Sequence, residues 1–308
     1  MPTLSHCPKS PVLYLMWNRP SCVRESFQPI RNYQPHALYI AADGPLADNQ
    51  SCSQSISECK QIVDSLVDWD CRVSYLYRDY NLGCKSAIAS AIDWFFENEE
   101  YGIIIEDDVV LEDSFFIFAE ELLLKYQHDS SVGLISANSF NRALSNSPYS
   151  YSFSIHPHIW GWASWRRVWS EYDPTISDYT KLSAFPKLFR RMGFLPAIFW
   201  LHTFSKVKSN KINTWDYQLS YLFYTKRLLS VTPNVEQCTN IGFMPTATHT
   251  SIGLSPLSNS QPITFPLVHP PDMKLNWRRE RRTFYTNYLP KLKLKKILKL
   301  IARSLGAF

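Results

Sequence analysis

The sequence lacks any apolar run long enough to cross a membrane as a helix, which excludes a membrane-spanning helical segment. Residues 1–20 lack a continuous hydrophobic core, because Pro2, His6, Pro8, Lys9, Pro11, Asn18 and Arg19 interrupt it, so no signal peptide is expected. The seven cysteines, at positions 7, 22, 52, 59, 71, 84 and 238, form no CxxC pair and no Cys/His zinc spacing. Their odd number points to free thiols in a reducing cytosol. No internal repeat is present, which excludes solenoid architectures.

What is present suits a folded domain. With 308 residues, 45% of them hydrophobic, the chain can bury a full core in one large or two small domains. Aromatic residues make up 15%, and such side chains line flat-ligand sites as readily as cores. The net charge of +5 conceals an asymmetry, since Lys274 to Arg303 holds eleven Lys or Arg and one acid, Glu280. That segment carries +10 and leaves −5 for the rest. Within it, Leu294, Ile297, Leu298, Ile301 and Leu305 fall at helical spacing between Lys293, Lys295, Lys296, Lys299 and Arg303. This basic amphipathic C-terminal helix is expected to lie peripherally on an anionic membrane surface, the alternative being docking of its apolar stripe onto the domain. No nucleic-acid recognition motif accompanies it, so no nucleic-acid partner is expected.

Along the chain, strands are expected at Val12–Trp17, Leu38–Ala42, Arg72–Tyr77, Gly102–Ile105, Val132–Ser136 and Arg227–Thr232. Helices are expected at Ser21–Asn32, Ser53–Val67, Lys85–Asn98 and Phe115–Tyr126, the last capped by Asp113 or Ser114. Alternation of this kind predicts an α/β fold with a mostly parallel central sheet and helices on both faces. Asn138–Pro157 reads as a loop or hairpin, residues 160–225 as helices interrupted by prolines, and residues 245–272 as loop.

The most informative stretch is Tyr101 to Leu111, where a β-branched apolar run ends in Glu106, Asp107 and Asp108. Ligands collect outside the carboxyl ends of parallel strands, and an oxygen-rich cluster there suits Mg²⁺ or Mn²⁺. The competing reading is an acidic helix N-terminus, which accounts for Glu112 and Asp113 better than for three adjacent carboxylates.

Taken with Asp43-Gly44 after the second strand, Asn81-Leu82-Gly83 opening a helix, and Trp215-Asp216, the stretch Ile103 to Val109 resembles GT-A glycosyltransferases. The likeness is to the N-acetylglucosaminyltransferase I type and related bacterial family 2-like sugar transferases, over roughly residues 10–250. The resemblance implies a Rossmann-like GT-A domain over 10–270, with a nucleotide-sugar-binding half at 10–136, an acceptor-binding half at 137–270, and a basic tail at 271–308. It implies a nucleotide-sugar donor, a UDP-sugar, with Mn²⁺ (or Mg²⁺) bound by Asp108, and Glu106 and Asp107 touching the donor. Asp43 would accept from uracil or ribose, although it equally suits a turn aspartate. Arg19, Arg78 and Lys85 would offset phosphate charge, or remain solvated cations.

Asp216 is expected to be the base of an inverting transfer, or else a first-turn helix aspartate with Thr214 as cap. A second carboxylate that often follows this position in the family is Tyr217 here. Trp160 and Trp162, at a presumed helix start, resemble the walls of a donor-sugar site, with Trp165 and Trp169 as core. His249, after Asn240-Ile-Gly-Phe243, resembles a late metal-ligating histidine. The expected acceptor is a glycan or glycolipid at the cytoplasmic membrane face. Two rivals are a sugar-phosphate nucleotidyltransferase, disfavoured because Asn18-Arg19-Pro20-Ser21 is no Gly-rich phosphate loop, and a non-catalytic carbohydrate- or membrane-binding protein, which leaves Glu106 to Asp108 without a task.

Overall fold

The computed structural model describes residues 9–139, 147–242 and 260–289. His249 and the amphipathic segment beyond residue 289 lie outside the described residues. The first part of the chain alternates strongly: β1 (Val12–Met16), α1 (Pro20–Ser26), α2 (Gln28–Tyr33), β2 (Ala37–Ala42), α3 (Gln50–Leu66), β3 (Arg72–Tyr77), α4 (Gly83–Asn98) and β4 (Tyr101–Glu106). The single helix expected at Ser21–Asn32 is two, because the chain re-initiates at Gln28-Pro29, where a proline is tolerated in the first turn. There follow β5 (Val109–Leu111), α5 (Asp113–Lys125), β6 (Val132–Ser136), β7 (Tyr151–Ser154), β8 (Trp162–Trp165) and α6 (Arg166–Trp169). The remainder is α7 (Lys181–Met192), α8 (Phe194–Lys208), α9 (Asp216–Lys226), β9 (Leu229–Pro233), β10 (Cys238–Asn240) and α10 (Trp277–Thr283), which runs on into a π-helical turn at Phe284–Tyr288.

Eight strands form one mixed sheet in the order β3-β2-β1-β4-β8-β6-β9-β7, flanked by helices. The pairs β3/β2, β2/β1, β1/β4 and β6/β9 are parallel. β8 and β7 run antiparallel to their neighbours. The central strands VLYLM, ALYIAA and VGLIS are buried throughout, as expected where both faces of a sheet are covered. β3, at the edge, is only partly buried.

Two expectations are corrected in the middle of the chain. Trp162–Trp165 is not a helix start but a buried strand between β4 and β6, and only Arg166–Trp169 is helical. The loop or hairpin expected at Asn138–Pro157 contains β7, which pairs with the distant β9 and forms one edge of the sheet. In both, four residues are too few for periodicity to separate strand from helix, and pairing across the fold decides.

The topology sets the site. From β1 the chain winds outward through β2 to β3, then returns to place β4 on the other side of β1. This reversal opens a crevice at the carboxyl ends of β1 and β4.

Candidate functional site

A cavity of about 580 Å³ lies in that crevice. It is lined by strand ends: Trp17 and Arg19 after β1, Asp43 after β2, Glu106 as the last residue of β4, and Asp107 and Asp108 directly after it. Asn81, Gly83 and Cys84 line one side, while Trp160 and Asn213 to Asp216 approach from the second half of the chain. Asn240, at the end of β10, also lines it.

The three carboxylates have distinct surroundings. Asp107 is buried, accepts from the Trp17 backbone N–H at 3.2 Å and pairs with the Arg19 guanidinium. Asp108 accepts from Arg19 Nη1 through Oδ2 at 3.0 Å. Arg19 therefore bridges two adjacent carboxylates. Burial opposes its charge, but Asp107 and Asp108 outweigh that and raise its pKa. Glu106 is half-buried and faces the cavity, and no donor among the described residues reaches its carboxylate. Its pKa is pushed up to about 8, first by burial, then by the charges of Asp108 and Asp107, with Asp216 adding to the rise. Burial likewise raises Asp107, with Arg19 opposing.

A short ladder covers this corner. β5 pairs antiparallel with β10, and the Ile241 N–H donates to the Asp108 carbonyl at 2.8 Å. Gly242 follows so closely that a Cβ there would lie 2.2 Å from Asp108 Oδ2. The glycine is required because the backbone passes over the carboxylate.

Asp43 is a structural clamp as well as a cavity residue. Its Oδ1 accepts from the Gly44 and Leu82 N–H groups, both at 2.9 Å, and Oδ2 from the Gly83 N–H at 3.0 Å. It thereby ties the end of β2 to the loop that opens α4. Arg78 lines the cavity and donates to Ser90 Oγ at 2.6 Å, and burial lowers its pKa. Lys85 is half-buried one position past Cys84 and does not line the cavity, which is faced by Cys84, Ala87 and Ile88 of the same helix.

Asp216 is the first residue of α9 and accepts from the Thr214 hydroxyl. Thr214 is not the helix cap, since Trp215 occupies that position. Behind it stands an aromatic block. Trp162 stacks on Trp215 with centroids 6.0 Å apart, and Trp169 stacks on Tyr172 at 4.2 Å. The Tyr172 hydroxyl donates to the Trp215 carbonyl at 3.0 Å, and Trp169 Nε1 to Asp93 at 2.7 Å. Trp162, 1% exposed, thus belongs to the core that positions Asp216 rather than to the cavity wall; Trp160 lines the cavity.

No protein-family model and no curated protein matches the chain. Among solved structures it is similar to S. aureus TarS, residues 1–349, with a TM-score of 0.38 and 14% identity over 54% of this chain and 49% of that one. It is also similar to a UDP-glucose pyrophosphorylase complexed with UDP-glucose (TM-score 0.37, 10% identity, 75% of this chain and 92% of that one). HddC from Yersinia pseudotuberculosis gives a TM-score of 0.30 at 13% identity, over 55% of this chain and 80% of that one. The chain spans about half the length of the TarS structure it matches. Similarity at this level leaves the chemistry to be read from the cavity itself.

Among the described residues no group of three or more His, Cys, Asp or Glu side chains is arranged to hold a metal ion. The donor set fits a more open arrangement. Glu106 and Asp108 Oδ1 are oxygen sites at the cavity floor that no described donor occupies, and Mg²⁺ or Mn²⁺ commonly takes one or two carboxylates and completes its shell with water and phosphate. The residues that sequence reasoning did not single out are Trp17, Cys84 and Asn213. Their only signal is adjacency to the motifs.

Proposed function

We propose that this protein is a metal-dependent glycosyltransferase of GT-A type that moves a sugar from a nucleotide-sugar donor, a UDP-sugar, to a glycan or glycolipid acceptor with inversion. The observation that carries the reading is the convergence of two carboxylate sources on one cavity. Glu106 to Asp108 arrive from β4 in the first half, and Asp216 arrives from α9, over a hundred residues later. In this reading residues 10–136 hold the donor and 137–270 the acceptor.

Asp108, with Glu106 beside it, would hold the divalent cation. A cation bound there neutralises charge developing on a leaving diphosphate. Arg19 pairs with both Asp107 and Asp108 and holds them in place. Arg78 and Trp160 line the donor's surroundings. Asp216 accepts the proton of the acceptor hydroxyl as its oxygen bonds to the anomeric carbon and the sugar–phosphate bond breaks. The remaining assignments of this reading are His249 as a further metal ligand and work at the cytoplasmic face of a membrane held by the basic tail. No described helix is long and apolar enough to cross a membrane.

The test is calorimetric binding of UDP with Mn²⁺ and with EDTA, for wild type and Asp108→Ala. Metal-dependent binding abolished by the substitution is expected. Absence of binding to wild type in both conditions overturns the UDP-sugar reading.

A further inference from the structure

Helix α7 carries a surface that the cavity does not use. From Lys181 to Trp215 the chain has seven cations, Lys181, Lys187, Arg190, Arg191, Lys206, Lys208 and Lys211, and no acidic residue. Ala184, Leu188 and Arg191 face the interior. Leu182 and Phe189, seven residues apart, consequently point away from it, and Phe185 between them is partly buried against the core. Leu182 is 75% exposed, Phe189 48%, and Phe194 at the start of α8 46%. The rings form one ridge, with Phe185 5.9 Å from Phe189 and 6.4 Å from Phe194 between centroids.

Lys181, Lys187 and Arg190 are exposed on the same helix, Lys181 and Arg190 to either side of this ridge and Lys187 further round. Among the described residues none of the three has an acidic partner. An exposed apolar ridge of this kind marks an interaction surface. The cations flanking it favour an anionic partner. A second copy in a two-fold contact would set the same cations against one another, which disfavours self-association. Lipid phosphates above an acyl boundary satisfy both features, and cations beside bulky apolar residues are the signature of an interfacial helix.

We propose that α7 and the start of α8 form a structured membrane-docking surface, with Leu182, Phe189 and Phe194 entering the headgroup boundary of an anionic bilayer and Lys181 and Arg190 on its phosphates. The surface stands apart from the basic C-terminal segment and from any assignment of chemistry in the cavity. It is nonetheless joined to the cavity: α8 packs on α9 through Trp200 and Tyr217, centroids 5.7 Å apart, and Tyr217 follows the cavity residue Asp216.

The test is co-sedimentation of the full chain with phosphatidylcholine vesicles and with vesicles that also contain phosphatidylglycerol. Two variants are compared: Leu182→Ser/Phe189→Ser/Phe194→Ser, which removes the ridge, and Lys181→Glu/Arg190→Glu, which reverses the charges flanking it. Circular dichroism melting confirms that both remain folded. Wild type is expected to bind only the anionic vesicles, and each variant to bind at least about tenfold more weakly. The proposal is overturned if wild type binds neither vesicle or if both folded variants bind as wild type does. Self-association that only the ridge variant loses, without vesicle binding, would assign the ridge to a second copy and equally overturn it.

Discussion

Arg19 and Asp216 do different work in one cavity, and substitution separates them. Arg19 answers two carboxylates, of which Asp107 is almost fully buried. Removing one partner of a buried pair leaves the other charge uncompensated, at a cost of about 3 kcal/mol or more. Arg19→Met is therefore expected to lower stability by about that amount in urea unfolding, and Arg19→Met/Asp107→Asn to recover part of it. Asp216 stands at the start of α9 and accepts from the Thr214 hydroxyl. Asp216→Asn is expected to lower kcat by about 10²- to 10⁴-fold with little change in unfolding midpoint, the range a positioned general base contributes. Loss of stability without loss of turnover would assign Asp216 to the helix end alone.

At the scale of elements, the short strands carry the surprises. β8 is read from sequence as the beginning of a helix, with Trp165 and Trp169 four apart on one face. In the fold the chain instead inserts Trp162–Trp165 antiparallel between β4 and β6. The consequence is mechanical: Trp162 becomes the support behind Trp215 and the start of α9. Trp162→Ala is expected to destabilise the fold by about 3–5 kcal/mol, the usual cost of deleting a buried large aromatic. Under conditions where it stays folded, it is also expected to slow turnover more than it weakens UDP binding, because Asp216 loses its footing while the β4 carboxylates keep theirs. α9 itself, QLSYLFY, is buried almost all round, which amphipathic patterning does not reveal. By contrast β3 and β6 fall where the apolar runs place them, since long or strongly bounded segments report their state locally.

For the whole molecule, the first half of the basic C-terminal region is not a free tail. Arg279 donates to Thr232 Oγ1 at 3.0 Å, and Glu280 accepts from the Ser154 hydroxyl at 3.0 Å and the Ile155 N–H at 2.8 Å, which pins α10 to β7 and β9. This joint buries His156, whose Nδ1 lies 2.8 Å from the Tyr224 hydroxyl and whose Nε2 lies 3.9 Å from Glu280. The two do not form an ion pair. Burial, with the nearby Arg191 charge adding, lowers the His156 pKa to about 3, so the imidazole is uncharged near neutral pH, while burial raises the pKa of Glu280.

The pH dependence follows in sign. An unfolded imidazole takes up a proton near pH 6.5 and the folded one does not, so the contribution of His156 is full above about 6.5 and is lost as pH falls toward 3. Glu280 acts oppositely, its contribution being full below about pH 4.5 and lost as pH rises through its elevated folded pKa. His156→Gln is accordingly expected to flatten the decline in unfolding free energy on acidification below pH 6.5, by on the order of 1 kcal/mol per pH unit. An unchanged slope in urea titrations at several pH values would show that His156 is not the group responsible.

The amino-acid sequence by itself determined the alternation of strands and helices over the first 136 residues and the placing of three carboxylates at a strand end. Both are local properties, written in period and in adjacent residues. Only the tertiary structure decided that Arg19 crosses to Asp107 and Asp108, that Asp43 holds the loop before α4, that Trp162 turns inward, and that Asp216 arrives opposite Glu106. Those outcomes depend on which strands pair and which faces meet across tens to more than a hundred residues of chain. Hydrophobic periodicity states that a face is buried; the order of the sheet states against what.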